Sequence, residues 1–356
     1  MTENRLPIDP ESEAQISAPI KQLQRGLIVI FALAVLSGGY GVWWYVVASQ
    51  FEKNIAIWIE QQRAQGVEAT FEKMSQKGFP GSIHFSIKKP KIQKSGHRGW
   101  TWAGDVLNLS LKPWTIHRLM FNVEGPHQWE LHKPAGVAIF EGTAKKWSGV
   151  LTLKEWAPDQ ISINLNALAI KDVSANDNFQ VTEADISIFE ISEQAPSFKF
   201  RIRGIELPEM VQSPLGRDVR HVDAKGHFTG RFQLGKWPDV LMAWRDGGGT
   251  LDFKSLDLDY PPLRVRGDGT ITLDSHMQPV GAFAVKVGGV FETVDALYNQ
   301  GLIPMGTLFA TKIALGVLSE KSVDGDSSYL NMALTLQDRT LYAGTVELLK
   351  ISPVRW

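Results

Sequence analysis

The sequence predicts a mainly β protein of the α+β class: one N-terminal transmembrane helix followed by large curved antiparallel sheets, with a helix pair near the C-terminus. Three observations predict it. One long run near the start carries no ionisable side chain, many later segments alternate apolar with polar residues, and two stripes of helical period follow residue 290.

The first run extends from Gly26 to Ala48 and reads GLIVIFALAVLSGGYGVWWYVVA. At ~1.5 Å rise per residue it is long enough for a hydrocarbon core of about 30 Å. Trp43, Trp44 and Tyr45 close it, where amphipathic rings favour the headgroup boundary. Lys21 and Arg25 precede it, whereas Lys53 on the far side is offset by Glu52. The positive-inside tendency therefore predicts a cytoplasmic tail over residues 1–25, a transmembrane helix over 26–48 and an extracytoplasmic, mostly β domain over 49–356. Val46-Val47-Ala48 can also be read as a signal-peptide cleavage site, but the length of the run and its aromatic end favour a retained span. Ala34, Ser37, Gly38 and Gly41 form small-xxx-small spacings compatible with close helix approach, a pattern that also arises by chance.

Past the span, Phe51, Ile55, Trp58 and Ile59 keep helical spacing, so the helix is expected to continue until Gly66 stops it. The period then changes to two. Ile83, Phe85 and Ile87 alternate with polar residues, and so do Leu107, Leu109 and Leu111, then Ile161, Ile163 and Leu165. The pattern returns at Phe198, Phe200 and Ile202, at Phe283, Val285 and Val287, and at Leu330, Met332, Leu334 and Leu336. Such alternation gives each strand one core-facing and one solvent-facing side, as in antiparallel sheets. Gly78-Phe79-Pro80-Gly81, Glu124-Gly125-Pro126 and Gly247-Gly248-Gly249 read as turns between runs. Leu251 and Phe253 share one parity while Leu256, Leu258 and Tyr260 share the other, which predicts a bulge near Lys254-Ser255 and a locally bent sheet. Val290, Val294, Leu297 and Tyr298 make the first C-terminal helix stripe. Leu308, Phe309, Ile313 and Leu315 make the second, with Lys312 near its middle either snorkelling to water or touching a ligand.

Composition narrows the function. The 356-residue chain is 44% apolar with a net charge of −1, which argues against nucleic acid as a partner. Lys88, Lys89, Lys91, Lys94 and Arg98 are a local basic exception, read as a solvated hairpin tip or as a contact for anionic lipid or glycan. The absence of cysteine removes disulfides, iron–sulfur clusters, thiolate zinc sites and cysteine nucleophiles. None of the eight histidines forms a helical i, i+4 pair with an acidic partner, and His221 and His227 on a straight strand lie ~20 Å apart. There is no Gly-x-Ser-x-Gly elbow and no phosphate loop. Asp268, between two glycines, reads as a turn or strand-edge residue. No catalytic, cofactor-binding or metal residues are assigned. Twelve tryptophans, among them Trp100, Trp102 and Trp114, suit either core packing or a glycan surface.

The order of segments carries a resemblance. FEKNIAIWIEQQRAQGVEATFEKMSQKGFPG from Phe51, WTWAGDVLNLSLKPWTIHRLMFNVEGP from Trp100, WRDGGGTLDFKSLDLDYPPLRVRGDGTITLD from Trp244, the Pro279-Val-Gly281 step, the helices around 297–301 and the closing LTLQDRTLYAGTVELLKISPV occur in sequence. Together they resemble the domain of unknown function 2125 family of Gram-negative envelope proteins, over about residues 45–356; Arg339-Thr340 departs from the glycine turn expected before the last strand. The resemblance implies an inner-membrane anchor with a periplasmic domain and brings no activity or catalytic residues. More distantly, the strand style resembles the AsmA-like envelope proteins linked to lipid movement. The anchor, the extended alternation and the lack of a catalytic constellation lead to the function expected: non-enzymatic binding of a lipid or other apolar ligand in envelope maintenance. The alternatives are a scaffold for another envelope protein and a hydrolase with dispersed site residues.

Overall fold

The computed structural model describes residues 10–96, 99–133, 136–155, 157–193, 195–211, 213–232, 237–301, 303, 305–306, 308–309, 312, 320–321, 328–344, 346–354 and 356. Helix α1 (Pro10–Ala64) runs without a break through the apolar segment and beyond it, and Gly66 at φ 77° ends it as expected. From Leu27 onward it is long and apolar enough to cross a membrane.

All strand pairings are antiparallel. The first group is β1 (Val67–Thr70), β2 (Lys73–Lys77), β3 (Ile83–Lys88), β4 (Lys91–Lys94) and β5 (Trp100–Lys112). β3 and β4 lie end to end on one side of β5, with β2 outside β3 and β1 outside β4. The long strands follow: β6 (Thr115–Lys133), β7 (Gly136–Lys154), β8 (Ala157–Asp172) and β9 (Asp177–Phe189). Next come β10 (Ser197–Glu206), β11 (Asp218–Phe228), β12 (Leu251–Tyr260), β13 (Leu263–Leu273) and β14 (Pro279–Gly288). The sheet closes with β15 (Glu320–Lys321), β16 (Ser328–Gln337), β17 (Thr340–Ala343) and β18 (Val346–Lys350). From β5 to β14 each strand pairs with the next, and β14 then pairs with β16. β17 and β15 line the other side of β16, and β18 follows β17. At ~4.8 Å per pairing this meander extends roughly 70 Å along the sheet, and β6 and β7 are roughly 60 Å long. A sheet of this many strands accumulates twist and does not lie flat.

Two further helices are short. α2 (Trp237–Asp246) joins β11 to β12, with Pro238 in its first turn, where a missing N–H is tolerated. α3 (Val290–Asn299) follows β14. Of the expected C-terminal pair α3 is present; Met305, Gly306, Leu308, Phe309 and Lys312 of the second segment are also helical, while Ile313 and Leu315 of its stripe lie outside the described residues, so the second helix is not established. Leu308, from that stripe, is buried with Val294 and Leu330, and Lys312 pairs with Asp295 at 2.5 Å.

Glu124-Gly125-Pro126 is a second correction. It is not a turn between strands but a bulge inside β6, with Gly125 at φ 80° and the register shifting between Val123 and His127. A local turn signal is here absorbed by a ladder that continues on both sides. The bulge expected near Lys254-Ser255 is present, with register shifts against both neighbours of β12.

The β6 bulge belongs to a line that crosses seven strands. Asp105 is skipped in β5, Lys145 and Ala167 face each other unpaired in β7 and β8, and Thr182, Gly204 and Arg220 are skipped in β9, β10 and β11. Ala167 and Gly204 adopt φ of 48° and 57° there. Interruptions at one level in adjacent strands form a crease, along which the sheet bends.

Candidate functional site

The crease explains how one face of the sheet stays apolar. In β8 the apolar residues step from Leu165 to Leu168, in β9 from Val181 to Ala184, and in β10 from Ile202 to Ile205. A three-residue step would reverse the face of a regular strand. The unpaired residue between them restores it, so Ile163, Ile186 and Phe200 on one side of the crease and Leu168, Val181 and Ile205 on the other share one surface. Register extends this surface in both directions. Ile87, Leu107, Val123 and Trp147 carry it across β3, β5, β6 and β7, and Val222, Leu258, Val265 and Val287 carry it across β11 to β14. The alternating runs recognised in the sequence all lie on this one face.

The reverse face is polar. Arg201 pairs with Asp223, Arg203 with Glu183 and Arg266 with Asp257, at 3.5, 3.9 and 3.0 Å. Asn164 donates to Asp185 at 2.6 Å. The side chains of these ion pairs are 35–60% exposed, and such pairs contribute little to stability, but they fix which side of the sheet meets water.

Among the described residues, α1, α2 and α3 bury side chains of the apolar face towards its ends. At the first end Trp44, Val47 and Ala48 of α1 pack on Ile83, Phe85 and Leu111. At the other end α2 buries Leu241 and Trp244 against Leu273, and α3 buries Val294 against Leu330. Between them, the buried clusters formed by α1, α2 and α3 take in no residue of β7 to β10, and Ile161, Ile163, Leu165, Ile186, Ile188 and Phe200 are only half-buried. Large rings lie flat where the neighbouring strand offers glycine: a Cβ on Gly149 would stand 2.3 Å from the Phe121 ring, and one on Gly142 would stand 2.6 Å from Trp129.

A cavity of about 520 Å³ indents this face. Trp129, Phe140, Ile170 and Phe179 form its floor, and Pro208, Met210 and Val211 of the β10–β11 loop stand over it. Asp177 holds the loop, accepting backbone N–H bonds from Asn178, Glu209 and Met210, each at 2.8 Å. Those bonds, led by that of Met210, lower the Asp177 pKa against the opposing effect of burial. Beside the cavity, Trp102, Trp129 and Trp147 surround His127, with ring centroids 6.1, 5.9 and 4.8 Å away respectively. His127 is buried, and desolvation depresses its pKa despite the attraction of Asp105. This is an apolar bed with few polar groups, suited to hydrocarbon rather than to a charged substrate.

The residues singled out in the sequence are dispersed. His221 and His227 each face a different aspartate, Asp257 at 3.2 Å and Asp252 at 3.7 Å. Asp268 is exposed within β13, and Lys89 of the basic cluster pairs with Asp105 at 2.6 Å. Trp102 lies in the aromatic cluster, whereas Trp114 stands exposed at a turn. A second cavity, about 580 Å³, opens on the polar face and is lined by Lys89, Asp105, Glu141 and Lys171. Among the described residues no three His, Asp or Glu side chains converge as a metal site. No motif in the sequence marks His127 and Trp129; strand register brings them together with Trp102 and Trp147.

No curated protein and no solved structure matches the chain. The family model described as an uncharacterized protein conserved in bacteria (DUF2125) matches residues 44–352, from the end of the apolar segment to the last strand. The chain therefore belongs to the DUF2125 family.

Proposed function

We propose that this is a non-enzymatic, membrane-anchored protein that holds a lipid or other apolar ligand on the apolar face of its sheet, in maintenance of the bacterial envelope. The observation that carries the reading is the half-buried face that continues from strand to strand across β7 to β10, outside the clusters that α1, α2 and α3 bury. Apolar surface left accessible on this scale in a soluble domain marks a binding site. The half-buried stretch is matched by the apolar cavity beneath the 208–211 loop. Lys21 and Arg25 before the span support an inner-membrane protein with a cytoplasmic N-terminus and a periplasmic sheet.

The test is mass spectrometry of lipid retained by the purified full chain after exhaustive detergent exchange, compared with an Ile163→Asn variant. Retained lipid that falls in the variant supports the reading, because lipid held around the anchor alone would be the same in both. Equal retention sinks it. A docking surface for another envelope protein is the second reading, favoured by Met210 and Val211, which are 71% and 47% exposed. Crosslinking from position 210 that recovers no protein partner would count against it.

A further inference from the structure

The structure ties two sheet loops to a single turn of the apolar helix. The Trp44 indole donates to the Gly81 carbonyl at 2.9 Å, and the Tyr40 hydroxyl donates to the Pro80 carbonyl, both in the β2–β3 loop. The Trp43 indole donates to the Pro113 carbonyl in the β5–β6 turn at 3.2 Å. The tips of the same two loops are aromatic and turned outward: Phe79 is 61% exposed and Trp114 is 62% exposed. Phe79 still meets the Trp44 ring edge-on at 5.5 Å, so its position is set by the helix. Lys77 and Lys112, both exposed, flank the tips.

The level of these tips follows from the helix. A hydrocarbon core of about 30 Å beginning at Leu27 spans about 20 residues and ends near residue 46. Tyr40 to Trp44 therefore lies within the last ~9 Å of that core. Leu27 to Leu36 below them has no cover from the sheet. Rings held at this depth, with lysines beside them, match the boundary layer where aromatic side chains sit in hydrocarbon and ammonium groups reach the phosphates.

We propose that the 78–82 loop and the 112–115 turn form an inserted rim that seats the first end of the sheet on the phospholipid bilayer crossed by α1. The proposal rests on the reading of α1 as a membrane anchor. Its consequence is positional: Ile83, Phe85 and Leu111, where the apolar face begins, stand directly above the rim. The face thus starts at the surface of the bilayer, and a lipid chain passes to it without crossing open water.

The absence of cysteine makes the test direct. Single variants Phe79→Cys, Trp114→Cys and Lys112→Cys of the full chain are labelled with bimane and placed in nanodiscs of phosphatidylethanolamine and phosphatidylglycerol. Each is quenched with nitroxide lipids and with aqueous iodide. Val35→Cys in the apolar run and Met210→Cys at the opposite edge of the sheet are the references. Labels at 79, 112 and 114 are expected to be quenched by headgroup and shallow-chain nitroxides several-fold more than the label at 210, and to be shielded from iodide. Lys112→Cys leaves both tip rings in place, so a folding defect at either ring does not remove the readout. If the label at 35 is in lipid while those at 79, 112 and 114 behave like the one at 210, the rim is overturned. If the label at 35 is itself in water, the anchor reading fails, and the rim with it.

Discussion

Replacing Ile186 with asparagine probes the apolar bed at its centre. Ile186 lies in register between Ile163 of β8 and Phe200 of β10, on the part of the face outside the clusters that α1, α2 and α3 bury. Fully burying an isoleucine side chain is worth ~1.5–3 kcal/mol. Ile186 is already half-sheltered in the free protein, so ligand contact supplies about half of that, ~1 kcal/mol. An asparagine amide covered by hydrocarbon without a partner costs a further ~1–3 kcal/mol. The sum, about 2–4 kcal/mol, corresponds to an affinity roughly 30- to 700-fold weaker. The fold itself is expected to lose only about 1 kcal/mol. Trp102, Trp129 and Trp147 border the bed and serve as energy-transfer donors to a dansyl-labelled fatty acid titrated onto the full chain in nanodiscs. Lys199→Asn, exposed on the reverse face of β10, is the control and is expected to change affinity by less than about 0.5 kcal/mol. A folded Ile186→Asn protein with unchanged affinity would refute the assignment of this face as the bed.

Other parts of the structure give independent expectations. Phe85, 1% exposed against Phe51 of α1 at 4.9 Å, should cost ~3–5 kcal/mol when truncated to alanine. Chemical denaturation reads this, and a loss well under 1 kcal/mol would mean that α1 is not packed on the sheet. Gly149→Ala places a Cβ 2.3 Å from the Phe121 ring and 2.4 Å from the Ser162 carbonyl, for an expected cost of ~1–3 kcal/mol in the same assay; no loss would show that Phe121 does not lie across β7. Burial depresses the pKa of His127 below its unfolded value of ~6.5. The unfolded chain therefore takes up this proton first as pH falls. The stability contributed by neutral His127 is present above ~6.5 and is lost as pH drops towards the folded pKa. His127→Phe should remove that part of the slope between pH 7.5 and 5.5, and an unchanged slope would contradict the buried neutral state. Asp177→Asn should increase amide exchange at 209 and 210, whose N–H groups bond its carboxylate.

Much of the architecture is legible because its signals are local. The apolar run, its continuation to Gly66, and the alternation at Ile83–Ile87, Ile161–Leu165 and Phe283–Val287 each depend on neighbouring residues alone. The crease was equally local: the steps from Leu165 to Leu168 and from Ile202 to Ile205 are phase slips like the one recognised at Phe253–Leu256. Their alignment across seven strands, however, exists only in the register. Glu124-Gly125-Pro126 misleads for the same reason, since a bulge and a turn share glycine chemistry and differ in whether the partner strand continues. α2 was hidden by its ten-residue length and by the glycines after it. The aromatic cluster was least legible. Trp102, His127, Trp129 and Trp147 come from three strands, and no spacing in the sequence brings them together.

The apolar bed is tested most directly by photocrosslinking from adjacent positions of one strand. Ile163 and Asn164 are consecutive in β8 and point to opposite faces. A benzophenone side chain placed at either position of the full chain, irradiated in native membranes, reports what each face touches. Lipid adducts at 163 with few or none at 164 are the expected result. Equal labelling at both positions, or none at 163, would contradict the apolar face as the binding surface.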